Sequence, residues 1–392
     1  MIQGIHYETG EVISLQIEQG TISSITVTSE PASILQNSLP YLAPGLIDLQ
    51  INGYQGEDFN QLPITEQSIK RFCKHMWSLG VTRFFPTLIT NSFAAIQEAL
   101  VVIAKVCDES EAIHWSIAGI HLEGPFISPH DGARGAHDQQ YVCAPNIEWL
   151  QQWQKTSGNR IKIVTLSPEW EESIAFIEFC QDNGIVASLG HTSASSAQIA
   201  AATRAGATMI THFGNGVHLQ LPRHPNYLWE QLAQDELYAC VIADSYHLPD
   251  QVLKIVHKVK RDKTILVSDA VALSGSKAGQ YTTFVGGQVI LTEAGKLHLA
   301  HNEQLLAGSV AMLKEGIRYL YEAGIVDFEE AWRMASVNAA TLLALPNQAG
   351  LEVGAPADIT LFHKDKDGHI SINETFVAGQ IKYKKAAFET NE

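Results

Sequence analysis

Four residues of the chain could do chemistry together: Glu123, His191, His212 and Asp269. Each stands at the end of an apolar, strand-like run. Glu123 closes Gly119-Ile120-His121-Leu122 and is followed at once by Gly124-Pro125; the other three sit in Gly190-His191-Thr192-Ser193, Thr211-His212-Phe213-Gly214-Asn215 and Val267-Ser268-Asp269-Ala270. A strand that stops this way presents its last side chain at the rim of a sheet, where loops gather and ligands bind. Singly, each has an ordinary explanation. A carboxylate before Gly-Pro caps a turn, and a histidine at a strand end is more often a hydrogen-bonded structural residue. Together they are complementary. One Glu and two His ligands with an open position form a known catalytic zinc arrangement, and iron or another divalent metal would also fit. Such an ion lowers the pKa of water and polarises a carbonyl. Asp269 could then take the water's proton and return it to a leaving amine.

Those termini can meet only if the strands carrying them are parallel and adjacent. Apolar runs recur at 46–51, 82–88, 116–122, 161–166, 185–189, 208–212, 238–243 and 264–267, and most of the intervening segments have helical spacing, as in 195–204 and 251–260. Eight βα units predict a (β/α)8 barrel. An open doubly wound sheet is disfavoured, because no glycine-rich phosphate fingerprint follows the first strand. Two helices with a turn near Gly324, over 311–340, would close the barrel. Both ends read differently, as short alternating pieces such as 12–17, 21–27, 358–362 and 376–381, each punctuated by Gly or Pro. The expected organisation is an α/β protein: a TIM-type barrel over 45–344 and a small β-sandwich domain built from 1–44 and 345–392.

Composition narrows the partners. The 392 residues are 45% hydrophobic and 17% charged, with a formal net charge of −16. That charge argues against nucleic acid and against an anionic membrane surface, both of which require a basic face. An anionic small substrate would need a local cationic pocket. The five cysteines are scattered and contain no Cys-x-x-Cys pair, which fits reduced thiols better than a disulfide framework. With no basic n-region and no apolar run of membrane-spanning length, the expectation is a soluble cytoplasmic protein.

The motifs resemble the N-acetylglucosamine-6-phosphate deacetylase family of the amidohydrolase superfamily over nearly the whole chain. They are Pro44-Gly45-Leu46-Ile47-Asp48-Leu49-Gln50-Ile51-Asn52-Gly53, His121-Leu122-Glu123-Gly124-Pro125-Phe126, Thr165-Leu166-Ser167-Pro168-Glu169, Gly190-His191-Thr192, Val267-Ser268-Asp269-Ala270 and Gly354-Ala355-Pro356-Ala357-Asp358-Ile359. His-Leu-Glu-Gly-Pro is the most specific; Pro-Gly-x-Ile-Asp marks only the superfamily. The resemblance implies that Glu123, His191 and His212 hold one divalent metal, zinc first, with iron, manganese or cobalt as alternatives, and that Asp269 is the general base and acid. It implies substrate contacts from His137, from Asn215 and Gly216 on the strand-six loop, and from His247 near the sugar phosphate. Arg223 matches an arginine that in the family reaches the phosphate bound by the neighbouring subunit, which implies a homodimer. An Arg fork suits phosphate because it gives two charge-assisted bonds.

Two departures bear on specificity. Many superfamily members end strand one with His-x-His and bind two metals; Gln50 and Asn52 stand there in this chain, which favours one metal. The family usually follows the strand-six His with larger side chains before Asn-Ala-Met, whereas this chain has Phe213-Gly214-Asn215-Gly216-Val217-His218. Gly214 and Gly216 are expected to loosen the loop and remove apolar packing beside the sugar. The implied reaction is hydrolysis of the N-acetyl group of N-acetylglucosamine 6-phosphate to glucosamine 6-phosphate and acetate. The alternatives are another N-acetylhexosamine such as N-acetylgalactosamine 6-phosphate, another N-acyl amidohydrolase reaction, and a non-enzymatic sugar-phosphate sensor.

Overall fold

The computed structural model describes residues 1–28, 39–283 and 287–386. Its centre is an eight-stranded parallel barrel: β1 (Leu46–Ile51), β2 (Val81–Ile89), β3 (Ile120–Glu123), β4 (Ile161–Leu166), β5 (Val186–Leu189), β6 (Met209–Ile210), β7 (Tyr238–Val241) and β8 (Thr264–Leu266). The strands pair in chain order. The ring closes where the Asn52 and Gly53 amides donate to the Ala270 carbonyl and the Asp269 amide donates to the Gln50 carbonyl. Strands β1 and β2 are buried almost end to end, as expected of a parallel sheet covered on both faces.

The helices outside the barrel follow from capping and apolar spacing. Glu66–Ser78 starts at a reciprocal Thr65–Ser68 capping box and buries Ile69, Phe72, Cys73, Met76 and Trp77, a three-and-four spacing that lays one stripe on the sheet. Ser196–Arg204 starts at the Ser195–Gln198 box.

Inside, the barrel is layered by the two-residue period of its strands. The lower part is apolar, with Ile47, Leu49, Phe85, Ile163, Met209, Cys240, Ile265 and Val267 clustered with Ala339 and Ala340. Two residues on from Ile163 and Met209 come Thr165 and Thr211. Their hydroxyls lie 2.7 Å apart, and Thr165 Oγ1 is 2.7 Å from His121 Nε2, forming a buried polar layer. Two residues on from His121 comes Glu123, at the mouth. An apolar floor and a hydrogen-bonded second layer therefore carry the chemistry-bearing side chains.

Three expectations are corrected. Residue 116 ends a helix (Glu111–Ser116, capped by the Ser110 hydroxyl) instead of beginning a strand, and β3 starts at Ile120. The 311–340 segment holds three helices, Leu313–Glu322, Phe328–Met334 and Val337–Leu342, because Ala335 and Ser336 break the second from the third. Residues 376–381 are strand at both ends but not one continuous piece: Ala378 (φ 47°) and Gly379 (φ 77°) take the left-handed region and turn the chain between Ile370–Val377 and Gln380–Lys384.

Those two strands belong to a seven-stranded sheet made from both termini. Tyr41–Pro44 pairs antiparallel with Ile359–Lys364 and parallel with Ile2–His6. The sheet is locked to the barrel by Arg83 of β2. Its Nε donates to Asp358 Oδ2 at 3.0 Å, with both groups buried. A second element went unforeseen: a four-stranded antiparallel sheet (Gly279–Thr283, Gly287–Leu291, Leu297–Leu299, Asn302–Leu306) inserted after β8.

Candidate active site

Three ligand-type atoms converge at the barrel mouth. Glu123 Oε1 lies 3.1 Å from His191 Nε2 and 2.8 Å from His212 Nε2, and the two imidazole nitrogens are 3.0 Å apart. All three side chains are buried. Two imidazole nitrogens and a carboxylate oxygen so close require a cation among them, either a proton or a metal ion. Without a metal, burial favours the neutral imidazole, but the Glu123 carboxylate outweighs it and pushes His212 up to about 9. Burial likewise raises the Glu123 carboxyl, yet hydrogen bonds from His191 and His212 hold it well below the usual carboxylate range.

The surroundings suit a metal better than a proton. His191 Nδ1 is 3.0 Å from the Ala133 carbonyl. That oxygen can only accept, so Nδ1 carries the hydrogen and Nε2 is left as a ligand. Two glycines lie against the Nδ1–Cε1 edge of the His191 ring. A Cβ on Gly216 (φ 59°) would fall 2.5 Å from His191 Nδ1, and one on Gly135 (φ 61°) would fall 3.1 Å from its Cε1. This corrects the expectation that Gly216 loosens the loop: it lets the loop backbone lie against the imidazole. Gly214 (φ 80°) is constrained too, since a Cβ there would meet Leu248 at 2.8 Å.

Asp269 faces this cluster and is fixed by two amides. Asn52 Nδ2 donates to its Oδ1 at 2.8 Å and Gln50 Nε2 at 3.2 Å, while Gln50 Nε2 also lies 3.0 Å from Glu123 Oε1. The sequence showed Gln50 and Asn52 only as departures from His-x-His; the fold shows them tying the two carboxylates together. Burial and the charge of Glu123 push the Asp269 carboxyl up to about 7. His191 (φ 47°), His212 (φ 24°) and Asp269 (φ 45°) all have left-handed backbone. Such conformations concentrate where surrounding structure over-determines a side chain's aim.

The cluster opens into a cavity of about 1240 Å³. His137, Asn215, Gly216 and His247 line it together with Glu123, His191, His212 and Asp269. His137 is buried edge-on to His191, ring centroids 4.4 Å apart, with Nδ1 2.9 Å from Thr90 Oγ1. Burial lowers its pKa to about 3, so it is neutral. His247 Nδ1 is 2.7 Å from Asp244 Oδ2; burial raises that carboxyl, but His247 draws it below its ordinary value overall. Asn215 Nδ2 donates to the His212 carbonyl at 3.3 Å.

Arg223 is not brought to this cavity. It sits on an exposed loop, as does His224, while His218 turns away to within 3.0 Å of the Tyr227 hydroxyl. Lys296, 3.2 Å from Glu303, enters the cavity wall from the inserted sheet. The outer strands of that sheet are mostly exposed, and the apolar stripe of the inner two is only Val289, Leu291, Leu297 and Leu299, too short to have marked the sheet.

Residues 41–385 match the amidohydrolase family. The chain is 33% identical over 357 residues to an N-acetylglucosamine-6-phosphate deacetylase of Bacillus subtilis (strain 168), covering 89% of this chain and 88% of that protein. It superposes on the N-acetyl-D-glucosamine-6-phosphate deacetylase of Mycobacterium smegmatis with a TM-score of 0.83 at 25% identity, covering 97% of this chain and 99% of that one. The N-acetylglucosamine-6-phosphate deacetylase of Pasteurella multocida gives a TM-score of 0.83 at 25% identity, with 96% and 97% covered. Among the described residues no helix is long and apolar enough to cross a membrane. By fold, motif and similarity along its length, the chain belongs to the amidohydrolase family and, within it, to the N-acetylglucosamine-6-phosphate deacetylase family.

Proposed function

We propose that the chain hydrolyses the N-acetyl group of N-acetylglucosamine 6-phosphate, giving glucosamine 6-phosphate and acetate. The observation that carries this reading is the convergence of Glu123 Oε1, His191 Nε2 and His212 Nε2 beside an amide-anchored Asp269. Those three residues would hold one divalent ion, zinc first and iron, manganese or cobalt otherwise. Bound there, the ion supplies Lewis acidity toward water and the amide carbonyl.

The chain's own residues supply the proton path and the orientation. With Oδ1 of Asp269 fixed by Asn52 and Gln50, Oδ2 is the oxygen left to take a proton from water and deliver it to the amine nitrogen. A carboxyl poised near neutrality can do both, and a bound cation opposes the upward push that Glu123 exerts on it. His137, its Nδ1 engaged by Thr90, offers Nε2 to the substrate. His247, steadied by Asp244, would lie near the sugar phosphate, and Asn215 and Gly216 would contact the substrate from the strand-six loop. Arg223 would complete the phosphate site of a neighbouring copy in a homodimer. The domain division 1–44 with 345–392 against 45–344, and a cytoplasmic location suited to five unpaired cysteines, belong to the same reading.

The test is acetate release from N-acetylglucosamine 6-phosphate by protein of counted metal content, with and without chelator. Chelator-sensitive turnover at about one metal per chain supports the reading. Metal-loaded protein that turns over only N-acetylgalactosamine 6-phosphate, or no sugar phosphate at all, overturns the substrate assignment.

A further inference from the structure

At the opposite end of the barrel, where β3 and β4 begin, a second cavity of about 300 Å³ is lined by Arg83, His114, Trp115, Arg160 and Lys162, with Pro346 on its rim. Among the described residues no carboxylate lines it, although the chain as a whole is acidic.

The cations here are incompletely matched. Arg83 Nε donates to Asp358 and its guanidinium stacks on Trp115, 4.4 Å from the ring centroid, but its buried Nη2 has no partner. Asp358 cannot supply one. Its oxygens already accept from Trp115 Nε1, Asn347 Nδ2 and the Ala378 amide as well. Arg160 donates through Nη2 to Asp108 and through Nη1 to His114 Nδ1 at 2.9 Å, while its buried Nε is unpartnered. Because His114 Nδ1 accepts, the ring hydrogen sits on Nε2, another donor. Among the described residues Lys162 makes no ion pair, and its stem is held where a Cβ on Gly119 would come within 2.5 Å.

The N-terminal face of a barrel ordinarily serves stability, but a purely stabilising cluster would balance its cations, and here two carboxylates, Asp358 and Asp108, face Arg83, Arg160 and Lys162. Here Arg83 and Arg160 each keep one guanidinium nitrogen without a partner despite their pairs with Asp358 and Asp108, and with His114 and Lys162 they line one small hollow. We infer that this cavity is a second anion site, for inorganic phosphate or the phosphate of a small phosphomonoester, separate from the barrel mouth. Guanidinium groups suit such an oxyanion.

The experiment is equilibrium dialysis of radiolabelled inorganic phosphate against the whole metal-loaded protein, with glucosamine 6-phosphate as competitor. The proteins compared are the parent, Lys162→Gln, Arg160→Gln and, to mark the barrel mouth, His247→Asn. One class of phosphate site should weaken about tenfold in Lys162→Gln and in Arg160→Gln, the loss of one charge-assisted contact, and persist in His247→Asn. Competition by the ester at that class assigns a phosphomonoester; its absence assigns free phosphate. Acetate release in phosphate-free buffer should be unchanged in both cavity variants, so this inference and the catalytic reading fail separately. Lys162→Gln touches no ion pair, which guards against misfolding as the explanation. A parent that binds no phosphate beyond the class lost in His247→Asn, or a Lys162→Gln protein that binds like the parent, overturns the proposal.

Discussion

Asp269, Asn52 and Gln50 form the smallest unit on which the chemistry turns. Asp269→Asn keeps the size and the Oδ1 acceptor but cannot take a proton, so metal content should stay near the parent's while kcat falls at least about 100-fold. Metal counting beside acetate release checks this, and a variant that stays active would remove Asp269 from the role. Asn52→Ala deletes the 2.8 Å amide contact to Oδ1. Losing a hydrogen bond to a charged group costs about 1.5–3 kcal/mol, so kcat should drop roughly tenfold or more with little change in KM. A fall in KM-controlled binding alone would show that Asn52 positions substrate instead. These residues were visible in the sequence by type, but nothing in their spacing announced that one amide would serve both carboxylates.

At the scale of elements, the strand ends and the loops packed on them decide how firmly the ligands are held. Gly216→Ala places a methyl 2.5 Å from His191 Nδ1 on a backbone of φ 59°. Either the loop or the imidazole must move, and metal affinity should fall about 10- to 100-fold, the range for disturbing a ligand's supporting contacts. Titration with a competing chelator measures it. Unchanged affinity would mean that the loop backs away without taking His191 with it. Lower in the barrel, Asp48 is buried on β1 and accepts from the Gln50 and Ser268 amides; burial raises its pKa from 3.8 to about 7. With a folded pKa above the unfolded one, its favourable neutral form supports the fold fully below 3.8, and that support is lost as pH rises through 7. Asp48→Asn should therefore gain stability relative to the parent as pH rises between 3.8 and about 7 and hold that gain above it, read from urea unfolding at a series of pH values across that interval. A difference that does not vary with pH would mean that Asp48 is ionised throughout.

For the whole molecule, the junction between barrel and terminal sheet rests on a buried ion pair. Arg83→Met leaves Asp358 charged and short of one donor, and removing one member of a buried pair costs about 3–5 kcal/mol. Thermal unfolding should show a clear loss of stability with the mouth chemistry intact in whatever remains folded. A near-neutral result would mean that Trp115, Asn347 and the Ala378 amide satisfy Asp358 by themselves. The inserted sheet at 279–306 brings Lys296 and Glu303 to the mouth. Part of the cavity wall is thus formed by an element outside the (β/α)8 pattern.

The sequence alone determined what local chemistry can carry: parallel strands as continuous apolar runs, helices from their apolar spacing, and Glu123, His191, His212 and Asp269 each at the end of a strand. It also carried the family motifs, which lie in contiguous stretches. Only the tertiary structure decided what depends on residues far apart meeting. Gln50 and Asn52 reach carboxylates on β3 and after β8 because the ring closes between β1 and β8. Gly216 is required by a ring on another strand, so read locally it looked like looseness. Arg223, assigned by motif to a phosphate, stays outside this chain's own cavity. The inserted sheet escaped because its apolar alternation is short, Val289 with Leu291 and Leu297 with Leu299, while its outer strands Gly279–Thr283 and Asn302–Leu306 are mostly exposed and leave little periodic signal.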